Sequence, residues 1–288
     1  MKNLAIRTTV AVIFGPLIIW IGYQAGYWLL GLVAVLVTLG LIEFLWAERF
    51  RPSEPLFWFT LLAAETVLGA VFVGDHVLQV ENPAVWYAMV AGMVTTGFFL
   101  VSGMLLATGR DGVRELFWKH VRLLWGVVYI GLLYPVVYLL GALRTAPEHY
   151  DFSGGDCLLF LFGVLWLGDT AAMGFGKWFG KHKLAPEVSP NKSVEGFLAG
   201  LLGGLAIGVL MSFWLFKSLG WTHVLVLAVG CSLFGQLGDL VESMWKRSLG
   251  IKDSSAIIPG HGGVLDRFDS LLFAAPFMYW YLNLIFMR

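Results

Sequence analysis

Apolar residues run along this chain in long blocks separated by short polar joints. Crossing a hydrocarbon core of about 30 Å takes roughly 20 mostly apolar helical residues, and in lipid a helix satisfies its own backbone hydrogen bonds. The blocks at 8–24, 28–46, 56–73, 84–107, 123–143, 157–176, 197–216, 221–242 and 269–287 therefore predict nine membrane-spanning helices and an all-α, polytopic fold. Pro52, Pro55, Pro83 and Gly220 punctuate joints between blocks.

Composition sharpens this picture. Of 288 residues, 58% are hydrophobic and 13% charged, with a mean hydropathy of +0.78, more apolar surface than a water-soluble core can hide. Formal net charge is zero, so overall charge gives no support to a nucleic-acid partner. Cys157 and Cys231 lie in apolar stretches without CxxC or Cys/His spacing, and read as packing residues. Lys2 and Arg7 ahead of the apolar run Thr8–Tyr23 imitate a signal peptide, but no small-residue cleavage site follows, and a retained first span is expected.

Nine spans put the N-terminus and the loops after spans two, four, six and eight on one side. That side carries sixteen of the nineteen basic residues, against Arg144, Lys217 and Arg288 on the other. The asymmetry predicts a cytoplasmic N-terminus and an outer C-terminus. Residues 1–150 are expected to form five spans, and 151–288 a catalytic region of four spans with two cytoplasmic motif loops. Gly200, Gly203 and Gly204 suit close helix packing in lipid.

Polar chemistry gathers in the last 120 or so residues. Ionisable groups at membrane depth are expensive and mark functional candidates, here Asp169, Asp239, Glu242, Asp266 and Asp269. Gln236, Asp239, Ser243 and Lys246 recur at three- and four-residue steps and share one helix face, with Glu242 at its edge. Asp266 and Asp269 are likewise three apart. Carboxylates that converge while ionised need cations, and hard oxygen ligands joined by phosphate favour Mg²⁺, with room for a second cation. A structural salt-bridge cluster is the alternative. Between these helices the loop Lys252–Gly263 carries Gly260, Gly262 and Gly263, whose N–H groups could cradle an anion beside His261; a flexible turn is the plainer reading. The earlier loop supplies Lys177, Lys181 and Lys183, read first as anionic-lipid anchors, and Lys192 and Ser193, better placed for a site.

At these residues the chain resembles the phosphatidate cytidylyltransferase family. The stretch Ser243-Met-Trp-Lys246-Arg247 through Lys252-Asp253, Pro259-Gly-His261-Gly262-Gly263 and Asp266-Arg267-Phe-Asp269 follows that family's long signature, with Trp245 where an aliphatic residue or Phe is usual. A second block, Gly168-Asp169-Thr170 to Ser189-Pro190-Asn191-Lys192-Ser193, is also similar, with Ala171 and Met173 in place of the usual Gly and Tyr. The resemblance covers about 157–275. It implies transfer of a cytidylyl group from CTP to phosphatidic acid, releasing pyrophosphate, at a divalent-metal site in the membrane. On that implication Asp239 and Asp266 hold metal, assisted by Asp169 or Asp269. Lys246, Arg247, Lys252 and Arg267 clamp phosphate oxygens, and His261 donates to a phosphate or the leaving group. Lys192, Ser193, Ser243, Asp253, Gly262 and Gly263 complete the substrate contacts.

Two rivals stand beside this reading. A CTP-dependent lipid-alcohol kinase would join the same nucleotide to a membrane substrate, and an ion-coupled transporter would also need intramembrane acids, though nearer the midplane and with structural repeats. Membrane lipids are expected partners, a homodimer is a candidate assembly, and a bacterial inner membrane with a cytoplasm-facing site is the expected location. Glu43 and Glu65, alone in early spans, read as helix-pairing groups.

Overall fold

A computed structural model describes residues 2–107, 112–143, 151–258, 260 and 262–286, with side chains described from Val12 to Asn283 within those ranges. Among them the helices are α1 (Lys2–Gln24), α2 (Gly26–Ala47), α3 (Pro55–His76), α4 (Pro83–Ala107), α5 (Val113–Gly126), α6 (Pro135–Gly141), α7 (Gly154–Phe179), α8 (Val194–Leu215), α9 (Trp221–Ser248) and α10 (Leu265–Phe286). Among the described residues seven helical stretches are long and apolar enough to cross a membrane: α2, α3, α4, the run Val113–Gly141, α7, α8 and α9. They coincide with seven of the predicted blocks. The first and ninth blocks fall in α1 and α10; the first turns of α10 carry Asp266, Arg267 and Asp269, which shortens its apolar stretch.

The run Val113–Gly141 is not one regular helix. Residues Val127–Leu132 form a π-helical segment between α5 and α6. Pro135 lacks an N–H and its ring would collide with the carbonyl four residues back in an unbroken helix. A wider turn ahead of the proline absorbs that conflict.

The chain divides into two compact units, Leu30–Leu139 and Met1–Leu29 with Leu140–Arg288. In the first, Glu65 accepts a hydrogen bond from Thr38 at 2.6 Å, and Tyr138 meets Asp75 and His76 at 3.2 and 3.0 Å. Glu43 is fully buried.

The second unit is organised by close helix contact. On α8 the buried positions Gly196, Gly200, Gly204, Gly208 and Ser212 recur every four residues and form one stripe. A Cβ on Gly208 would sit 2.6 Å from the Ala228 Cβ, one on Gly204 2.7 Å from the Ser232 Cβ, and one on Gly200 2.9 Å from Gln236 Oε1. Helix α8 therefore runs against α9 nearly backbone to backbone, the packing that small residues permit in lipid. Helix α7 begins with a capping box, in which Ser153 accepts from the Asp156 N–H and Asp156 reaches back to the Ser153 N–H. Nearby, Asp151 accepts from the Ser218 hydroxyl at 2.7 Å, and that bond holds the Asp151 carboxyl below its usual range.

A two-stranded antiparallel hairpin, β1 (Lys183–Ala185) and β2 (Ser189–Ser193), joins α7 to α8. The apolar pattern does not announce it, because eight strand residues with no alternation leave no period to read. Its base is fastened twice. Ser193 caps α8, its Oγ accepting from the Gly196 N–H at 3.1 Å. Glu195 accepts from the N–H groups of Lys181 and His182 and lies 2.6 Å from His182 Nδ1.

Candidate active site

The polar face anticipated on α9 exists. Ser243 donates to Asp239 Oδ1 at 3.3 Å, one turn away, and Lys246 reaches Glu242 Oε2 at 2.6 Å, again across one turn. Glu242 was placed at the edge of that face by its spacing, yet its side chain is only 1% exposed. The edge is where α10 packs. A Cβ on Gly238 would lie 2.7 Å from the Asp269 carbonyl oxygen, so this glycine lets the two backbones approach and brings Asp239 and Glu242 beside Asp269. The sequence signal for it was a bare glycine in a functional helix, which spacing alone does not distinguish from other helix-packing glycines.

Helix α10 contributes Asp266 and Asp269 in its first turns. Lys246 Nζ is 2.6 Å from Asp266 Oδ1, so one ammonium joins carboxylates from two helices. Asp266 Oδ2 accepts from the Gly263 N–H at 2.7 Å and from the Ser254 N–H and hydroxyl at 2.9 and 3.0 Å. The N–H groups of the glycine-rich loop thus do converge on an anion, and it is the chain's own Asp266. Gly262 takes a φ of +86°, a backbone setting that glycine adopts without strain, and its carbonyl accepts from the Ile258 N–H at 2.9 Å. Asp269 is buried and accepts from the Ser270 N–H at 2.7 Å. Its carboxylate lies within electrostatic reach of Asp239, Glu242 and Asp169.

Asp169 comes from the second half of α7 and is in electrostatic reach of Asp239 and Lys192. Lys192, on β2, lies directly against α9: its Nζ is 2.7 Å from Asp239 Oδ2. Arg247 also faces the hairpin, donating through Nε to the Val188 carbonyl at 3.2 Å and through Nη1 to the Ile251 carbonyl at 2.8 Å. Lys252, Asp253, Gly262 and Arg267 line a cavity of about 490 Å³ together with Ser255 and Ile258. His261 and Pro259 lie outside the described residues.

Asp169, Asp239, Glu242, Asp266 and Asp269 thus face two lysines, Lys192 and Lys246, at one end of α7–α10. Buried or half-buried carboxylates outnumbering their cations hold a standing attraction for further positive charge. One oxygen of the group, Glu242 Oε1, is buried without a hydrogen-bond partner among the described residues. Among the described residues no three acidic or histidine side chains already stand in a metal-ligating arrangement. Among the described residues the ammonium groups of Lys192 and Lys246 stand against these carboxylates at 2.6–2.7 Å.

Comparison with known proteins bears on what such a cluster belongs to. Residues 5–285 match the model of the family described as "Cytidylyltransferase family". The phosphatidate cytidylyltransferase of Staphylococcus haemolyticus (strain JCSC1435) is 34% identical over 273 residues, which cover 95% of this chain and 96% of that protein. The proteins of the same name from Staphylococcus saprophyticus and Staphylococcus aureus (strain COL) are 40% identical over 186 residues and 38% over 200. These alignments cover 65% and 69% of this chain, and 66% and 72% of those proteins. With a match this long, one that takes in every helix from which the acidic cluster is built, the chain belongs to the cytidylyltransferase family.

Proposed function

We propose that this membrane protein transfers a cytidylyl group from CTP to phosphatidic acid, forming CDP-diacylglycerol and pyrophosphate. The observation that carries the proposal is the gathering of Asp169, Asp239, Glu242, Asp266 and Asp269 from three helices with Lys246 and the hairpin's Lys192. The names of the relatives supply the reaction class. A site at helix ends serves a soluble nucleotide and a lipid headgroup together, because phosphatidate keeps its acyl chains in the bilayer while its phosphate stands at the boundary. We place that boundary on the cytoplasmic side of a bacterial inner membrane, in keeping with the distribution of Lys and Arg.

Chemically, an oxygen of the phosphatidate phosphate attacks the α-phosphorus of CTP. A new P–O bond forms, the bond from the α-phosphorus to the bridging oxygen breaks, and pyrophosphate leaves with that oxygen. A phosphomonoester has a second pKa of about 6, so the nucleophile is already largely dianionic near neutrality and needs no strong base. What it needs is relief from repulsion between two anionic substrates.

The donor set fits a hard divalent cation such as Mg²⁺. It consists of carboxylate oxygens from separate helices, one of them, Glu242 Oε1, buried and unpartnered. Asp239 and Asp266 would hold the ion, Asp266 being kept in position by the donors of Ser254 and Gly263. Asp169, Glu242 and Asp269 would complete the negative field. When bound, the cation would neutralise phosphate charge and stabilise the leaving pyrophosphate. The chain's own groups do the rest. Lys252 and Arg267, on the wall of the 490 Å³ cavity, suit the phosphates of the nucleotide, the first as a point charge and the second as a fork. Arg247 and Ser193 fix the hairpin that carries Lys192.

The test is direct. Purified protein given CTP labelled at the α-phosphate, Mg²⁺ and phosphatidate should yield labelled CDP-diacylglycerol and one pyrophosphate per turnover. Transfer of the γ-phosphate to a lipid alcohol instead would overturn the proposal in favour of a kinase.

A further inference from the structure

We propose that Lys192 is a cation placeholder: in the substrate-free protein its ammonium occupies the position at Asp239 that a divalent ion takes over. The inference rests on the metal reading above and adds a residue that governs when metal binds.

Both oxygens of Asp239 are engaged. Oδ1 accepts from Ser243 at 3.3 Å and Oδ2 from Lys192 Nζ at 2.7 Å. Ser243 is a neutral hydroxyl that can stay in place beside a bound ion. The ammonium cannot, since two cations at one carboxylate oxygen repel each other strongly in a half-buried setting, where Lys192 and Asp239 are 27% and 35% exposed. Lys246 does not fill this role, because Glu242 and Asp266 hold it at 2.6 Å each and its side chain is only 10% exposed.

The hairpin is built so that Lys192 can leave without disturbing its surroundings. Lys183 Nζ donates to the Pro190 carbonyl at 2.7 Å, Arg247 holds the Val188 carbonyl, and Ser193 caps α8. None of these contacts uses the Lys192 side chain. Its four-carbon stem swings while its backbone stays fixed. Once displaced, the ammonium stands beside the cluster ready to donate hydrogen bonds to phosphate oxygens, so that metal entry and phosphate binding favour each other. Without metal, the same pairing keeps Asp239 neutralised and holds the carboxylates together against their mutual repulsion.

Binding of Mn²⁺ to the full-length, substrate-free protein in detergent, read from the electron paramagnetic resonance of free Mn²⁺, tests this apart from catalysis. Lys192→Gln should bind Mn²⁺ about fivefold tighter than the unaltered chain, the scale expected from freeing a half-exposed ion pair. Lys192→Arg, which keeps the charge, should not. Asp239→Asn should lose the site. Equal or weaker binding by Lys192→Gln, with the Asp239-dependent site present, overturns the placeholder and leaves the metal reading standing. No Mn²⁺ bound by any of these proteins overturns both. A second readout needs no variant: Mg²⁺ should speed acylation of the Lys192 amine by an amine-reactive reagent several-fold relative to Lys183, measured by peptide mass spectrometry. An unchanged ratio also refutes the idea.

Discussion

Lys246→Met keeps most of the side chain's volume and removes a charge that two carboxylates share. Glu242 and Asp266 are 1% and 4% exposed, and each stands 2.6 Å from the ammonium. Taking one partner from a buried ion pair costs about 3–5 kcal/mol, because the remaining charge stays desolvated and unbalanced. Asp266 retains its three donors from Ser254 and Gly263, so the cost falls mainly on Glu242, whose other oxygen has no partner. At about 2–4 °C per kcal/mol for a chain of this size, the apparent unfolding temperature should drop by about 10 °C. The assay is loss of the monodisperse peak by size exclusion after heating in detergent, at one fixed heating protocol, since unfolding of such proteins is commonly irreversible. Lys246→Met/Glu242→Gln, which removes the stranded carboxylate, should recover at least half of the loss. A single variant within about 2 °C of the parent, against the drop worked out above, or a double variant no more stable than the single, would refute the assignment of Lys246 to holding α9 and α10 together.

Further predictions address the same end of the fold. Gly238→Ala places a methyl 2.7 Å from the Asp269 carbonyl and 3.1 Å from the Phe273 ring, so α9 and α10 must part; turnover should fall at least about tenfold while membrane insertion is unchanged. Asp239→Asn and Asp266→Asn should each abolish turnover, but only the second should hasten proteolysis within 249–264, because it weakens the bonds from Ser254 and Gly263 that hold that loop. Chelating divalent cations should stop the reaction and added Mg²⁺ restore it, measured as pyrophosphate release. Glu195→Gln should speed hydrogen exchange at Lys181 and His182 several-fold, since both N–H groups end on that carboxylate.

Much of the helical layout was legible because lipid imposes one rule, a long apolar run, and α2, α3, α4, α7, α8 and α9 obey it plainly. The polar face of α9 was legible for a similar reason: Asp239, Ser243 and Lys246 are a helical turn apart, and in the structure Ser243 does reach Asp239. What the pattern could not convey depends on neighbours distant in sequence. Glu242 looks peripheral on a helical wheel and becomes central because α10 covers that side. The loop glycines suggested a cradle for a foreign anion, but which anion reaches the N–H groups of Ser254 and Gly263 is decided by where α10 starts. The hairpin is too short to leave a periodic trace, and the π-helical segment before Pro135 answers a local steric conflict that hydropathy does not register.

A stripe of near-identical small residues has a weakness of its own. If α8 slid along α9 by one turn, glycine would again meet Ala228, Ser232 or Gln236 at almost every step, so the seam tolerates several alignments about equally well. Correct alignment must therefore be imposed from outside the seam. The Ser232 hydroxyl on the Gly200 carbonyl and the Arg247 bond to the Val188 carbonyl of the hairpin are stops that select one setting. The smoothness that lets the helices lie so close thus leaves their axial position to a few polar pins.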